Sequence, residues 1–109
     1  MARTDALQGS LDLLVLKILA RRGPLHGYGI TLQIEAMSGE VLRVEEGSLY
    51  PALHRMEEAG WIQADWAMTD SKRRARMYEL TPGGRRQLET EEARWNAVTS
   101  AVSQVLRLA

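Results

Sequence analysis

Residues 47–62 read Gly-Ser-Leu-Tyr-Pro-Ala-Leu-His-Arg-Met-Glu-Glu-Ala-Gly-Trp-Ile, and this run predicts a short helix followed by the start of a strand. The helix is expected over residues 48–59, with Ser48 as its cap and Pro51 in its first turn, because proline lacks the N–H that later turns need. Glycine is common at the position just after a helix end, and Gly60 occupies that position here. The apolar stripe consists of Leu49, Leu53 and Met56.

The other side of this predicted helix carries polar and aromatic side chains. Tyr50 and His54 are four residues apart and share one face, with Arg55 next to His54 and Ser48 at the helix start. Side chains of this kind can meet base edges or phosphates when a helix enters a DNA major groove. An ordinary amphipathic surface helix has the same pattern, and this alternative stays open.

A predicted β-hairpin follows the helix. Residues 61–67 and 75–80 are rich in aromatic and apolar side chains and flank the turn-prone Thr69-Asp70-Ser71, a connection too long for a two-residue turn. Four cations lie near its tip: Lys72, Arg73, Arg74 and Arg76. Cations at a hairpin tip can lie along the phosphates of DNA. A charged sheet edge that discourages aggregation is the alternative, but four charges of one sign favour DNA contact.

Three further helices are predicted around this centre. The first helix is predicted to begin between Asp5 and Ser10 and to end near Gly23. The second is predicted to end at Ser38. The last is predicted to begin with Thr81 as its cap and a proline at its first position. The apolar stripes are Leu7, Leu11, Leu14 and Ile18 in the first helix, and Ile30, Ile34 and Met37 in the second.

The order of elements predicts an α+β fold that is mostly α: a winged helix-turn-helix with a C-terminal dimerisation helix. Residues 1–81 are expected to form the winged-helix part and residues 82–109 the dimerisation helix, together as one compact unit. In the turn before the second helix, His26 is expected to satisfy local backbone groups, and Tyr28 to be a core or dimer contact.

The last helix has a heptad pattern in which apolar side chains recur at alternating spacings of three and four. The seam consists of Leu88, Trp95, Val98, Val102 and Val105, with Glu91 as one polar break. We expect the seam to pair with a second copy, since half-site recognition normally uses two-fold pairs; folding back on the first helix is the alternative. Trp95 could line a pocket for a flat aromatic ligand, although a packing anchor is the commoner role.

Composition excludes several classes of function. The chain of 109 residues has no cysteine and only two histidines, so no thiolate or zinc site and no catalytic constellation is expected, and the protein is predicted not to be an enzyme. No cofactor is expected either. The net charge is zero, which alone weighs against nucleic-acid binding, but the cations concentrate in residues 71–86. The apolar runs are too short for a membrane span, and a cytoplasmic location is expected.

Three stretches of the chain resemble the PadR family of transcriptional regulators. They are residues 25–30, Leu-His-Gly-Tyr-Gly-Ile; residues 47–62, quoted above; and residues 76–84, Arg-Met-Tyr-Glu-Leu-Thr-Pro-Gly-Gly. The likeness covers roughly residues 5–107 and is most specific in Gly-Ser-Leu-Tyr-Pro-Ala-Leu. It is closest to the short-tailed subgroup, in which one C-terminal helix serves as the dimer arm.

This resemblance implies a bacterial or archaeal homodimer that binds a pseudo-palindromic operator in double-stranded DNA. It implies repression, with release by a small aromatic effector. Ser48, Tyr50 and His54 would face DNA from the third helix, and Lys72, Arg73 and Arg74 from the wing. Trp95 falls where some short-tailed relatives carry a tryptophan at the dimer centre. Met77 and Glu79 depart from the family pattern, which has an aromatic and a basic residue there.

Two other functions remain open on the sequence alone. A winged-helix module without DNA binding could use its basic wing to dock on an acidic protein, and the zero net charge is compatible with this. A carrier of apolar ligands built around Trp95 would bind aromatic compounds without any affinity for DNA.

Overall fold

The computed structural model describes the backbone of residues 2–109 and the side chains of residues 10–109. Four helices and one hairpin follow in the order helix, helix, helix, strand, strand, helix. Their bounds are α1 Ala2–Arg22, α2 Gly27–Met37, α3 Glu46–Glu58, β1 Ile62–Met68, β2 Arg74–Leu80 and α4 Pro82–Leu108. The predicted class, mostly α with a small antiparallel sheet and a C-terminal helix, is confirmed.

Helix α1 is the centre of the core. It packs against α2, α3, β2 and α4 and buries a wider face than the predicted stripe. The buried side chains of α1 are Leu11, Asp12, Val15, Leu16, Ile18 and Leu19. The helix begins at Ala2, so a start between Asp5 and Ser10 was wrong; Leu7 lies outside the described side chains. It ends as predicted, where Gly23 adopts a left-handed backbone with φ of 76°.

Helices α2 and α3 add the second layer of the core. Ile30 and Ile34 of α2 are buried as predicted, but Met37 is 61% exposed because the helix ends there and leaves the core. The apolar stripe of α3 is buried as predicted, and Ala52 extends it: Leu49, Ala52, Leu53 and Met56. The burial of this stripe fixes which face of α3 remains turned to solvent.

The two strands form an antiparallel hairpin, which we call the wing together with its loop, residues 69–73. Ile62 pairs with Leu80 near the helices, and Met68 pairs with Arg74 near the tip. Because side chains alternate along a strand, Ile62, Trp66 and Tyr78 share one face. Ile62 and Tyr78 are buried at its base, whereas Trp66, nearer the tip, is 59% exposed.

Helix α4 begins at a cap that the sequence predicted. The Thr81 hydroxyl accepts a hydrogen bond from the Gly84 amide at 3.0 Å and donates one to the Gly60 carbonyl at 2.6 Å. Pro82 occupies the first helical position. With 27 residues, α4 is about 40 Å long, and it forms much of the 55 Å long axis of the molecule. The division into parts at 1–81 and 82–109 stays a prediction.

We predict that Gly84→Ala destabilises the fold far more than Gly83→Ala. A methyl group on Gly84 would collide with the Trp61 carbonyl oxygen and the Leu80 side chain, whereas one on Gly83 has its nearest neighbour at 3.4 Å. Overpacking of this kind should lower the free energy of unfolding by roughly 1–3 kcal/mol. The control change should be nearly neutral because alanine favours the helix. Urea denaturation measures both, and equal effects would contradict this packing.

Candidate nucleic-acid interface

Helix α3 begins earlier than its sequence suggested. Its N-cap is Glu45, whose side chain makes no capping hydrogen bond, and the amide of Ser48 donates to the Glu45 carbonyl at 3.0 Å. The prediction that Ser48 caps the helix was therefore wrong. Pro51 lies inside the helix, past the first turn, so its use as a marker of the helix start was also wrong.

The solvent face of α3 carries residues of different charge along its length. At 3.6 residues per turn, one exposed line consists of Gly47, Pro51, His54 and Glu58. The imidazole Nε2 of His54 lies 3.7 Å from a carboxylate oxygen of Glu58. Exposed acids flank this face at both ends, Glu45 and Glu46 at the start of the helix and Glu58 in its last turn. The helix dipole is positive at the N-terminal end, and this favours an approaching phosphate there.

Tyr50 lies at the edge of this face, where α3 meets the start of α2. A methyl group on Gly27 would lie 2.6 Å from the Tyr50 hydroxyl, so the phenol can rest on α2 only because residue 27 has no side chain. The ring is still 44% exposed. Gly27 thus brings Tyr50 to the junction of the two helices while leaving part of its ring open to a ligand.

The turn before α2 places His26 as the N-cap of that helix. Its Nδ1 atom accepts a hydrogen bond from the Gly29 amide at 2.9 Å, which confirms the prediction of a local backbone role. Tyr28 stacks on His26, with ring centroids 6.4 Å apart, and is 63% exposed. Tyr28 is therefore not in the core, because its side chain leaves the first turn of α2 on the solvent side; the alternative, a dimer contact, stays a prediction.

Arg55 binds a carboxylate of its own chain. Its two terminal nitrogens donate to the two oxygens of Asp12 at 2.7 and 3.2 Å, and Asp12 is 8% exposed. Hydrogen bonding to Asp12, together with its charge, raises the pKa of Arg55 above its ordinary value. Arg55 was expected to face DNA; the structure instead gives its guanidinium a bidentate partner on α1, and we remove it from the DNA-facing set.

Arg76 also has a carboxylate partner within its own chain. One guanidinium nitrogen donates to Glu57 of α3 at 2.8 Å, and the group lies 5.8 Å from the centre of the Tyr78 ring. Burial raises the pKa of Tyr78 above its ordinary value, so the phenol stays neutral at physiological pH. Arg76, predicted as a DNA contact, therefore connects the wing to α3.

The tip of the wing carries the cations that remain. Lys72, Arg73 and Arg74 are exposed, and none of them forms an ion pair with any side chain in residues 10–109. Thr69 closes the loop: its carbonyl accepts from the Lys72 amide at 2.9 Å and its amide donates to the Arg73 carbonyl at 2.8 Å. Arg74 lies 5.0 Å above the centre of the Trp66 ring.

A groove of about 540 Å³ separates the wing from the first turns of α2 and α3. We call it the wing groove; its lining includes Tyr28, Tyr50, Trp66, Arg73, Arg74 and Tyr78. Tyr50 of α3 and the two wing arginines therefore border one and the same depression. The sequence analysis missed Trp66, although an aromatic residue near a hairpin tip, beyond reach of the core, was a signal of exposure.

The predicted dimer seam is exposed along most of α4. Trp95, Val98, Val102 and Val105 are 45–65% exposed. Leu88 is only 6% exposed, because it packs into the core of its own chain, and it does not belong to this exposed stripe. The Glu91 carboxylate accepts from Arg94 at 2.8 Å. Trp95 lies on α4 and does not line the wing groove.

Among the described side chains, no group of three or more His, Asp or Glu residues is arranged to hold a metal ion. None of the four helices, over the residues that the structure describes, has the length and apolar character needed to cross a membrane.

Comparison with known proteins identifies the family. Residues 15–90 match the model of the transcriptional regulator PadR-like family. A 37.1 kDa protein of a Streptomyces fradiae transposon is 46% identical over 80 residues, which are 73% of this chain and 21% of that protein. The negative transcriptional regulator PadR of Bacillus subtilis is 30% identical over 70 residues, 64% of this chain and 38% of that protein.

A solved structure agrees with this match. A PadR-like transcriptional regulator from Bacillus cereus superposes with a TM-score of 0.81 at 26% identity, covering 96% of this chain and 99% of that one. The chain spans about a fifth and two fifths of the lengths of the two relatives above. The chain belongs to the PadR-like family of transcriptional regulators, a family of regulators and not of enzymes.

We predict that Asp12 and Arg55 are energetically coupled. Arg55→Met leaves a largely buried carboxylate without its partner, and Asp12→Asn leaves a guanidinium without its anion. A buried pair broken in this way costs about 3–5 kcal/mol, and the half-exposed Arg55 reduces the expected coupling to roughly 1–2 kcal/mol. A double-mutant cycle in urea denaturation measures it. Additive effects of the two changes would show that the pair does not stabilise the fold.

Proposed function

We propose that the protein is a homodimeric repressor that binds a pseudo-palindromic operator through α3 and the wing. One observation carries this proposal: Tyr50, in the N-terminal half of α3, and Arg73 and Arg74 of the wing border the same groove. Had these two elements faced opposite sides, one DNA duplex could not have reached both. A helix in the major groove with a wing on the adjacent backbone requires this arrangement.

The roles within this interface follow from exposure and charge. We assign Ser48, Tyr50 and His54 to the major groove, because all three are exposed on the solvent side of α3. Lys72, Arg73 and Arg74 are assigned to the phosphates, since they have no carboxylate partner within the described side chains. Arg55 and Arg76 hold α3 to α1 and to the wing, and they contribute to binding by positioning.

Dimerisation is proposed through the exposed stripe of α4. Trp95, Val98, Val102 and Val105 recur at spacings of three and four and leave apolar surface in solvent, which a second copy would cover. Two-fold pairing would present two copies of α3 to two half-sites. Repression is supported by the Bacillus subtilis relative, which is a negative transcriptional regulator. A cytoplasmic location belongs to the same proposal.

Release by a small aromatic effector is part of the proposal. Trp95, at the N-terminal end of the exposed stripe, is the ring that would line an effector pocket between two copies. Such an effector would change DNA affinity by the same factor by which DNA changes effector affinity.

We predict that DNA binding weakens steeply as the salt concentration rises, and that the arginines of the wing account for much of this dependence. If two subunits neutralise about 6 to 10 phosphates, affinity should fall on the order of a thousandfold or more between 50 and 200 mM salt. Changing Arg73 and Arg74 to alanine in both subunits removes up to four contacts, so the slope of log K against log salt should decrease by about 3 to 4. Fluorescence anisotropy with a DNA fragment from upstream of the gene measures this slope.

The matched control is the double variant with Arg21 and Arg107 changed to alanine, which alters net charge equally but lies on α1 and α4, outside the wing groove. Its salt slope should stay unchanged. If the wing variant keeps the full slope, the wing does not contact phosphate, and a protein-docking role for the basic tip becomes the better account.

We predict that Val98→Glu disrupts the dimer and with it operator binding. A carboxylate in the middle of an apolar seam is costly to bury, so the variant should be monomeric at micromolar concentration and bind a palindromic site at least about a hundredfold more weakly. Ser100→Glu, on the opposite side of α4, is the control and should behave as the parent protein. Sedimentation velocity and anisotropy measure both properties. A Val98→Glu protein that remains dimeric would place the dimer interface elsewhere.

A further inference from the structure

We propose that the wing groove is itself a ligand site: it binds a planar aromatic ring that carries an anionic group, and the bound ligand excludes DNA from the same face. This site is separate from the one expected at Trp95. Its binding half stands on the geometry of the groove alone, and its exclusion half rests on the proposed DNA interface.

The walls of the groove are aromatic and unusually open. Tyr28, Tyr50 and Trp66 are 63%, 44% and 59% exposed, although large aromatic side chains are usually well covered. They come from α2, α3 and β1, three separate elements that all border this groove. Three rings from three elements around one depression can contact a flat ligand from several sides, where stacking and edge contacts are favourable.

The floor of the groove is closed. Tyr78 is buried to 6% exposure at the base of the wing, and Gly27 lies beneath Tyr50. The volume of about 540 Å³ falls within the range of roughly 300–1,000 Å³ that is typical of small-molecule sites. A one- or two-ring compound therefore fits between the wing and the helices.

The charge of the groove selects an anion. Its twelve lining residues include Arg73, Arg74 and Arg76 and no aspartate or glutamate. Glu57 neutralises Arg76, so the charge available to a ligand comes from Arg73 and Arg74. Arg74 already lies over the Trp66 ring at 5.0 Å, which places a guanidinium beside the surface on which a ligand ring would stack. A carboxylate or phosphate on that ring would receive charge-assisted hydrogen bonds.

Competition with DNA follows from the same residues. A ligand anion held by Arg73 and Arg74 would occupy the cations that are proposed to contact phosphate. The ligand would then act by occupying the DNA surface directly, without any change in the arrangement of the two subunits.

Binding is tested with matched anionic and neutral probes on the full-length protein. The first pair is 2-naphthoate and 2-naphthol, and the second is adenosine monophosphate and adenosine; isothermal titration calorimetry measures each. We expect the anion of a pair to bind at least about tenfold more tightly than its neutral partner, because only the anion can engage the arginines. Preference for one pair tells whether the natural ligand is an aromatic carboxylate or a nucleotide. No binding of either anion would overturn the proposal.

Variants then locate the site. Trp66→Leu should weaken 2-naphthoate binding about tenfold or more, and Arg74→Gln should reduce the preference for the anion while leaving 2-naphthol binding unchanged. Both side chains are exposed, so the fold should survive, as thermal unfolding can verify. Trp95→Leu is the comparison on α4 and should leave affinity within about twofold. The reverse pattern, loss with Trp95→Leu and none with Trp66→Leu, would place the ligand on α4 and refute the groove site.

A DNA titration separates this inference from the proposed function. For direct competition, the apparent dissociation constant for DNA rises in proportion to 2-naphthoate concentration without reaching a plateau, whereas an effector at a distant site gives a plateau. A plateau would overturn the exclusion half. DNA binding with no ligand binding refutes the groove site and leaves the repressor proposal intact. Ligand binding with no DNA binding supports the site and refutes the repressor proposal.

Discussion

The position of α3 depends on one buried carboxylate. Asp12 lies in the core face of α1 at 8% exposure, and its charge is acceptable there because Arg55 of α3 meets both of its oxygens. Apolar packing of Leu53 and Met56 holds α3 against the core but permits small rotations and shifts. A bidentate ion pair has a defined geometry, and it therefore fixes the rotation of α3 and the direction of its solvent face.

Ion pairs continue from α3 in both directions. Glu57 on α3 holds Arg76 of the wing at 2.8 Å, and Lys17 on α1 meets Glu92 of α4 at 3.0 Å. The pairs thus connect the C-terminal helix, α1, α3 and the wing in sequence. The Lys17–Glu92 pair is more than a third exposed, so it contributes little to stability.

The charges of this neutral chain are distributed unevenly over its surface. Carboxylates of the same chain pair with Arg55 and Arg76, the two arginines that hold α3 to α1 and to the wing. The cations at the tip of the wing have no such partner among the described side chains. In the sequence, Arg76 and these cations form one basic cluster, because a local pattern does not reveal ion-pair partners that are distant in the chain. Asp12 is 43 residues from Arg55, and no spacing rule relates them. The same holds for the wing groove, whose rings come from three separate elements.

The sequence by itself determined the elements, their order and the family. Helical and strand periodicity, the Thr81 cap with its following proline, and the Gly-Ser-Leu-Tyr-Pro-Ala-Leu run are local signals, and local signals can be read from a chain. The start of α3 was misplaced because its cap, Glu45, makes no side-chain hydrogen bond and so has no signature. Only the tertiary structure decided which arginines are free, which aromatic rings are exposed and that Leu88 is buried. Those properties depend on contacts between residues far apart in sequence, which exist only after the chain has folded.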